Sequence, residues 1–135
     1  MKDEKEILQM DARGRLVIPG KIRRKLALDA ESPIMMICDL DSKSIRILPL
    51  ATPDTGKEFV SFHIRMRDNA GSLAQIAQVF SRLGISMLYD QASVTNKGKD
   101  AEWHVIAALD EKELDLVVTE LRQSSAAIDV TYSKS

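Results

Sequence analysis

Residues 59–87 read FVSFHIRMRDNAGSLAQIAQVFSRLGISM, and the change of hydrophobic period inside that stretch decides the fold. Over residues 59–66, Val60, Phe62, Ile64 and Met66 point to one face and Ser61, His63 and Arg65 to the other, the period-two signature of a half-buried strand. Asp68-Asn69-Ala70-Gly71 breaks that pattern. Leu73, Ile76, Ala77, Phe80 and Leu83 then recur at helical spacing until Gly84 stops the run. Working outward, residues 85–94 and 101–109 read as strands around a polar turn, 95–100, in which Asn96 and Gly98 supply the turn chemistry. Asp110, with Glu113 three residues on, forms a capping-box pattern ahead of a Leu114, Val117, Val118, Leu121 stripe. Residues 128–132 close with a strand. The order βαββαβ is a ferredoxin-like plan, with both helices on one face of an antiparallel sheet.

Upstream the period differs. Residues 50–57, LATPDTGK, follow Pro49 and contain Pro53 and Gly56 without apolar periodicity, which places a linker at 51–57 between a first domain, 1–50, and a second, 58–135. In the first domain, Ile7-Leu8-Gln9-Met10 and Arg15-Leu16-Val17-Ile18 are strand-like runs flanking a turn through Ala12-Arg13-Gly14. Pro19 suits the first turn of a short helix carrying Ile22 and Leu26 on one stripe. Residues 33–38 and 44–48 then read as a second hairpin, turning at 39–43. Two hairpins and one short helix bury little surface, so the economical solution is a dimer sharing one core. The two halves show no sequence repeat.

The 135 residues carry a net charge of -1, which conceals a mildly basic first part and a mildly acidic second. Arg13, Arg15, Lys21, Arg23, Arg24 and Lys25 fall in a stretch without a carboxylate between Asp11 and Asp29. Such a cluster is either a solvated face or a surface for a polyanion. Arginine neutralises phosphate and also chelates guanine through its planar fork. A symmetric dimer presents each arginine twice, matching a roughly palindromic duplex. No apolar run approaches the roughly 20 residues that span a bilayer, and the charged opening MKDEKEILQMD lacks the apolar stretch of a secretory leader. A cytoplasmic protein without membrane partners is expected. Cys38, the single cysteine, excludes a disulfide within the chain and cannot by itself build a zinc site.

The segment DARGRLVIPGKIRRKLAL, residues 11–28, resembles the signature of the AbrB/SpoVT family: an acidic residue, a Gly-Arg turn, an apolar-Pro step and an arginine-rich helix. Gly20 departs from the polar residue often found after the proline. The resemblance implies a swapped-hairpin dimer, two chains interleaved into one small β-barrel, bound to double-stranded DNA. It assigns DNA contacts to Arg13, Arg15, Arg23 and Arg24, with Lys21 and Lys25 on phosphates.

In the second half, an amide-rich helix start beside Gly71 suits a carboxylate, and Asp68 or Asn69 suits an ammonium or amide group. Equally, the glycine makes a turn and Asp68 caps the helix. Residues 58–133 resemble an ACT domain, whose members commonly pair through their sheets. The resemblance implies an amino acid or related small metabolite held at the interface by Asp68, Asn69, Ala70, Gly71, Ser72 and Leu73, with Ile85, Ser86 and Met87 opposite. Ala70 stands where many members have proline.

His63 and His104 share the face opposite the apolar set and form a patch with no third ligand evident, so no metal is expected. Trp103, Met35 and Met36 read as core. No nucleophile-base pair, phosphate-cradling loop or metal spacing supports catalysis, and neither an enzyme nor a cofactor is expected. Together these readings give an α+β protein, an AbrB-like barrel dimer plus an ACT-like domain, acting as a homo-oligomeric transcriptional regulator under allosteric control by an amino-acid effector. The alternatives are a regulatory subunit of a biosynthetic enzyme and an antitoxin-like DNA binder.

Overall fold

The structure, a computed structural model, describes residues 5–134. The first four residues of the charged opening, and Ser135, lie outside the described residues. The chain divides between Leu50 and Ala51 into two compact units.

The second unit holds the core. Strand β3 (Glu58–Arg67) leads to helix α2 (Ser72–Arg82), followed by β4 (Tyr89–Asn96), β5 (Asp100–Leu109), α3 (Glu111–Gln123) and β6 (Ala127–Lys134). The sheet runs β4-β5-β3-β6, every neighbouring pair antiparallel. Val60, Phe62, Ile64 and Met66 of β3 and Trp103, Val105, Ala107 and Leu109 of β5 are buried, as the alternation requires. Against them pack Ile76, Val79 and Phe80 of α2 and Leu114, Val117 and Leu121 of α3, all buried. Phe80 sits edge-on to Phe62 at 5.7 Å and to Trp103 at 5.8 Å between ring centroids, the geometry that sets a positive ring edge against a negative face. Burying each such ring contributes about 1.5–3 kcal/mol.

Helix α3 begins where the sequence places it. Asp110 Oδ1 accepts the Glu113 amide at 2.8 Å, and the Glu113 carboxylate accepts the Asp110 amide at 3.1 Å. Strand β4 does not begin where expected: it starts at Tyr89 instead of Ile85. The reason lies at the end of α2, where Gly84 takes a φ of 69° and the Ile85 amide donates to the Phe80 carbonyl at 2.9 Å. This holds Ile85 against the helix end, and it is buried there. Extended pairing resumes only once the Leu88 amide reaches the Ile106 carbonyl.

The first unit contains α1 (Gly20–Lys25), β1 (Ile34–Asp39) and β2 (Ser44–Pro49), the two strands forming an antiparallel hairpin. Pro19 is the residue before the helix and not part of its first turn. The arms 7–10 and 15–18, expected as strands, form no ladder among the described residues. Their turn is made, with Asp11 N–H donating to the Arg15 carbonyl at 2.9 Å and Gly14 N–H to the Asp11 carbonyl at 3.1 Å. Beyond the turn the ladder between the arms does not continue among the described residues, and an extended segment without ladder hydrogen bonds is not a strand. None of the described residues 5–50 is buried. Met36, expected in the core, is 63% exposed, and Met35 is half-buried. The β1–β2 register explains it: Ile34, Met36 and Cys38 lie opposite Pro49, Ile47 and Ile45, forming an apolar hairpin face on which Ile34, Met36 and Ile45 are exposed.

Candidate functional sites

The basic site is built on the turn and on α1. Asp11 Oδ1 accepts the backbone amides of Arg13 and Arg15, each at 2.9 Å, while Oδ2 accepts Arg15 Nε at 2.7 Å. The Arg15 amide and then the Arg15 side chain are the main causes holding the Asp11 carboxyl below its ordinary range, the Arg13 amide adding to them. Gly14 sits in the middle with a φ of 77°, a left-handed conformation that favours glycine. Arg13, Arg23, Arg24 and Lys25 are exposed. Lys21 is exposed and pairs with Glu6 at 2.8 Å. On the helix, the Arg23 and Arg24 guanidinium groups both lean back over Gly20, each 3.4 Å from where a side chain on that residue would begin. Two cations brought close together repel, and an anion such as a phosphate bound between them relieves that repulsion.

The second site is a cavity of about 290 Å³ at the end of the sheet where β3 stops. Met66, Arg67, Asp68, Asn69, Ala70 and Leu73 line one side, and Ala92, Ser93, Val94 and Ala101 the other. The polar side chains of the loop are engaged internally. Asp68 accepts the Gly98 amide at 2.7 Å, tying the loop to the β4–β5 turn, while its own amide donates to the Lys99 carbonyl. Asn69 accepts both the amide and the hydroxyl of Ser72, at 3.1 and 2.8 Å, so it is Asn69 and not Asp68 that satisfies the start of α2. Ser72 is buried by this arrangement, Gly71 is exposed beside it, and Leu73 is 39% exposed at the cavity mouth.

Within one chain, Ile85, Ser86 and Met87 do not face this loop. Strands β3 and β4 both run antiparallel to β5 and hence parallel to each other. The start of β4 therefore lies at the end of the sheet where β3 begins, whereas the loop follows the end of β3. Ile85 and Ser86 line a different cavity, of about 200 Å³, with Thr52, Lys57, Leu88 and Glu113. Met87 is 38% exposed and lines neither.

On the sheet face away from the helices, His63 and His104 are direct cross-strand partners, their rings stacked at 6.1 Å. His63 Nε2 lies 3.2 Å from Glu102, and His104 Nε2 lies 2.5 Å from the Ser61 hydroxyl. The two nitrogens are drawn to different partners, and the described residues include no group of three or more donors that could hold a metal ion. Burial, and secondarily the neighbouring His63, lower the His104 pKa.

Asp11, Met66, Arg67, Ala92, Ser93, Val94, Gly98 and Ala101 are among the residues that sequence reading did not place in these sites. Asp11 had a local signal, a carboxylate four residues before an arginine across a glycine turn. The others are brought in by strand pairing alone.

No protein-family model matches the chain, and no curated protein does. Solved structures do. A protein of unknown function from Galdieria sulphuraria is 11% identical, covers 76% of this chain and 80% of its own, and superposes with a TM-score of 0.52. An uncharacterized protein from Thermotoga maritima is 15% identical over 58% of this chain and 96% of that one, with a TM-score of 0.51. The solution structure of the ACT domain from the GTP pyrophosphokinase of Chlorobium tepidum is 15% identical over 58% of this chain and 89% of that one, with a TM-score of 0.50. At such identities the likeness is one of fold, and the fold is ACT-like and ferredoxin-like, in an α+β protein with antiparallel sheets. Among the described residues, no helix is long and apolar enough to cross a membrane.

Proposed function

We propose that this chain is a DNA-binding transcriptional regulator, an obligate homo-oligomer whose ACT-like unit senses an amino acid or related small metabolite. The observation that carries the reading is the state of the first unit. It exposes Ile7, Leu8, Met10, Leu16, Val17, Met36 and Ile45, and it presents a clasped arginine turn and a paired-arginine helix on its surface. A unit this small, with none of its described side chains buried, needs a second copy to complete a core. Interleaving of the unpaired arms 7–10 and 15–18 between two copies, as in the AbrB/SpoVT resemblance, supplies both the missing strand partners and the missing core. The arginines are then presented twice.

The second unit supports an effector site shared between copies. Its edge strand β4 pairs with β5 alone among the described residues. Antiparallel pairing of β4 with β4 of a second copy sets the start of one against the end of the other, bringing residues 85–87 of one copy toward the 68–73 loop of its partner. The apolar walls of the cavity favour an amino acid with an aliphatic side chain. We read the chain as a binding protein and not an enzyme. An effector that favours one assembly over another changes the spacing of the DNA-binding dimers, and one with equal affinity for both changes nothing.

Fluorescence anisotropy on a mixed-sequence duplex, read across salt and repeated with each of the twenty amino acids, tests this. With several phosphates neutralised per dimer, affinity is expected to fall on the order of a thousandfold between about 50 and about 200 mM salt. One amino acid, or a few of one class, is expected to shift it further. Salt-independent binding, or none, defeats the DNA reading; a flat amino-acid panel leaves the second unit an assembly module.

A further inference from the structure

The basic turn contains one carboxylate, and its geometry separates two jobs. Asp11 Oδ1 receives the two backbone amides that close the turn, and Oδ2 receives the Arg15 Nε–H. A guanidinium has five N–H donors, one on Nε and four on its two terminal nitrogens. Holding Arg15 by Nε fixes the direction of the side chain while its terminal fork stays open, and that fork is the part that matches the O6 and N7 acceptors of a guanine. Arg15 is well exposed, so without the clasp its side chain would sample many rotamers and lose that freedom on binding.

We propose that Asp11 is the positioning residue of the DNA-binding turn: it aims the Arg15 fork at a base edge and so gives the turn sequence selectivity that its positive charge alone does not provide. The inference rests on the DNA-binding reading above. Because its hydrogen bonds hold the carboxyl below its ordinary range, the clasp stays charged at any pH at which DNA binding is measured. A negative charge in a polyanion-binding surface weakens general attraction, so its placement here trades affinity for aim.

The test uses the full chain and a duplex enriched by the wild type from a random-sequence library, with a mixed-sequence duplex beside it. Asp11→Asn keeps an oxygen for the two backbone amides but turns an N–H donor toward Arg15 Nε, so the turn persists while the arginine is released. Its affinity for the enriched duplex is expected to fall on the order of tenfold. Its affinity for the mixed duplex should stay level or rise, and the Arg15 Nε–H resonance should lose its distinct shift. Asp11→Asn binding the enriched duplex as the wild type does overturns the proposal. Should that variant fold poorly, Arg15→Lys, which keeps the charge and removes the fork, carries the test: it must lose the same selectivity. Equal binding of both duplexes by wild type and Arg15→Lys overturns the aiming role while leaving DNA binding intact. A wild type that binds no duplex overturns the DNA reading itself, and the aiming role with it.

Discussion

The two units of this chain are nearly opposite in how they use their apolar residues. In the second, strand alternation and helical stripes meet one another, and Val60, Phe62, Ile64, Ile76, Phe80, Trp103, Val105 and Leu121 are almost wholly buried. In the first, Ile7, Val17, Met36 and Ile45 remain well exposed. One unit encloses a core and the other leaves its apolar residues half-buried or exposed. Hydrophobic patterning fixes which side chains must leave water, but not whether the surface that covers them belongs to the same molecule.

The contrast predicts different responses to equally severe changes. The largest effect is expected from Phe62→Ala, which empties a fully buried site between α2, β5 and β6. A loss of about 3–5 kcal/mol is expected, read as a drop in the thermal transition of the second unit at any protein concentration. A drop relative to wild type that itself changes with protein concentration would mean that a second copy contributes to this core.

Next in size is Met36→Asp. On a finished surface, exchanging an exposed methionine for aspartate is nearly neutral. On an apolar face completed by a second copy, it forfeits about 1.5–3 kcal/mol of burial and adds a charge without a partner, raising the dimer dissociation constant on the order of a hundredfold. Sedimentation equilibrium reads the result directly. An unchanged assembly would show that the face formed by Ile34, Met36, Ile45 and Ile47 is not an interface, and the contrast between the units would lose its explanation.

What could be read in the sequence follows the same division. The Asp110–Glu113 cap was legible because both partners lie within one helical turn and the chemistry is local. The β3 alternation was legible because its partners, α2 and β5, are supplied by the same chain. The start of β4 was misplaced because the Gly84 turn captures Ile85 for the end of the helix, a competition that periodicity does not register. The role of Asp68 was hidden for another reason: its partner, Gly98, is thirty residues away and is brought close by strand pairing. The separation of Ile85 and Ser86 from the 68–73 loop follows from topology, since two strands antiparallel to a common neighbour start at the same end. In the first unit the turn and the helix could be read, being local, whereas the arms 7–10 and 15–18 form no ladder among the described residues.

The smallest expected effect concerns the open face of the second unit. His104 is directly across from His63, and its pKa is lowered first by burial and then by the charge of that neighbour. A histidine whose folded pKa lies below its ordinary value of 6.5 resists protonation in the native state. As pH falls toward 6.5 the unfolded chain takes up the proton first, so stability declines with falling pH through that window and levels off only below the depressed folded value. His104→Gln removes this dependence, and His63→Gln reduces it by removing the smaller, electrostatic cause. Urea titrations of the three proteins at about pH 7.5 and about pH 5.5 should show the midpoint of the wild-type second-unit transition falling more than that of His104→Gln, with His63→Gln between them. His104 is largely exposed, so the differences will be modest and reduced by salt. The comparison between units sharpens here as well. If the open face is covered by a second copy, desolvation at the two histidines deepens, and the pH dependence must grow with protein concentration. If the face stays open, the difference between the midpoints at the two pH values is the same at every concentration.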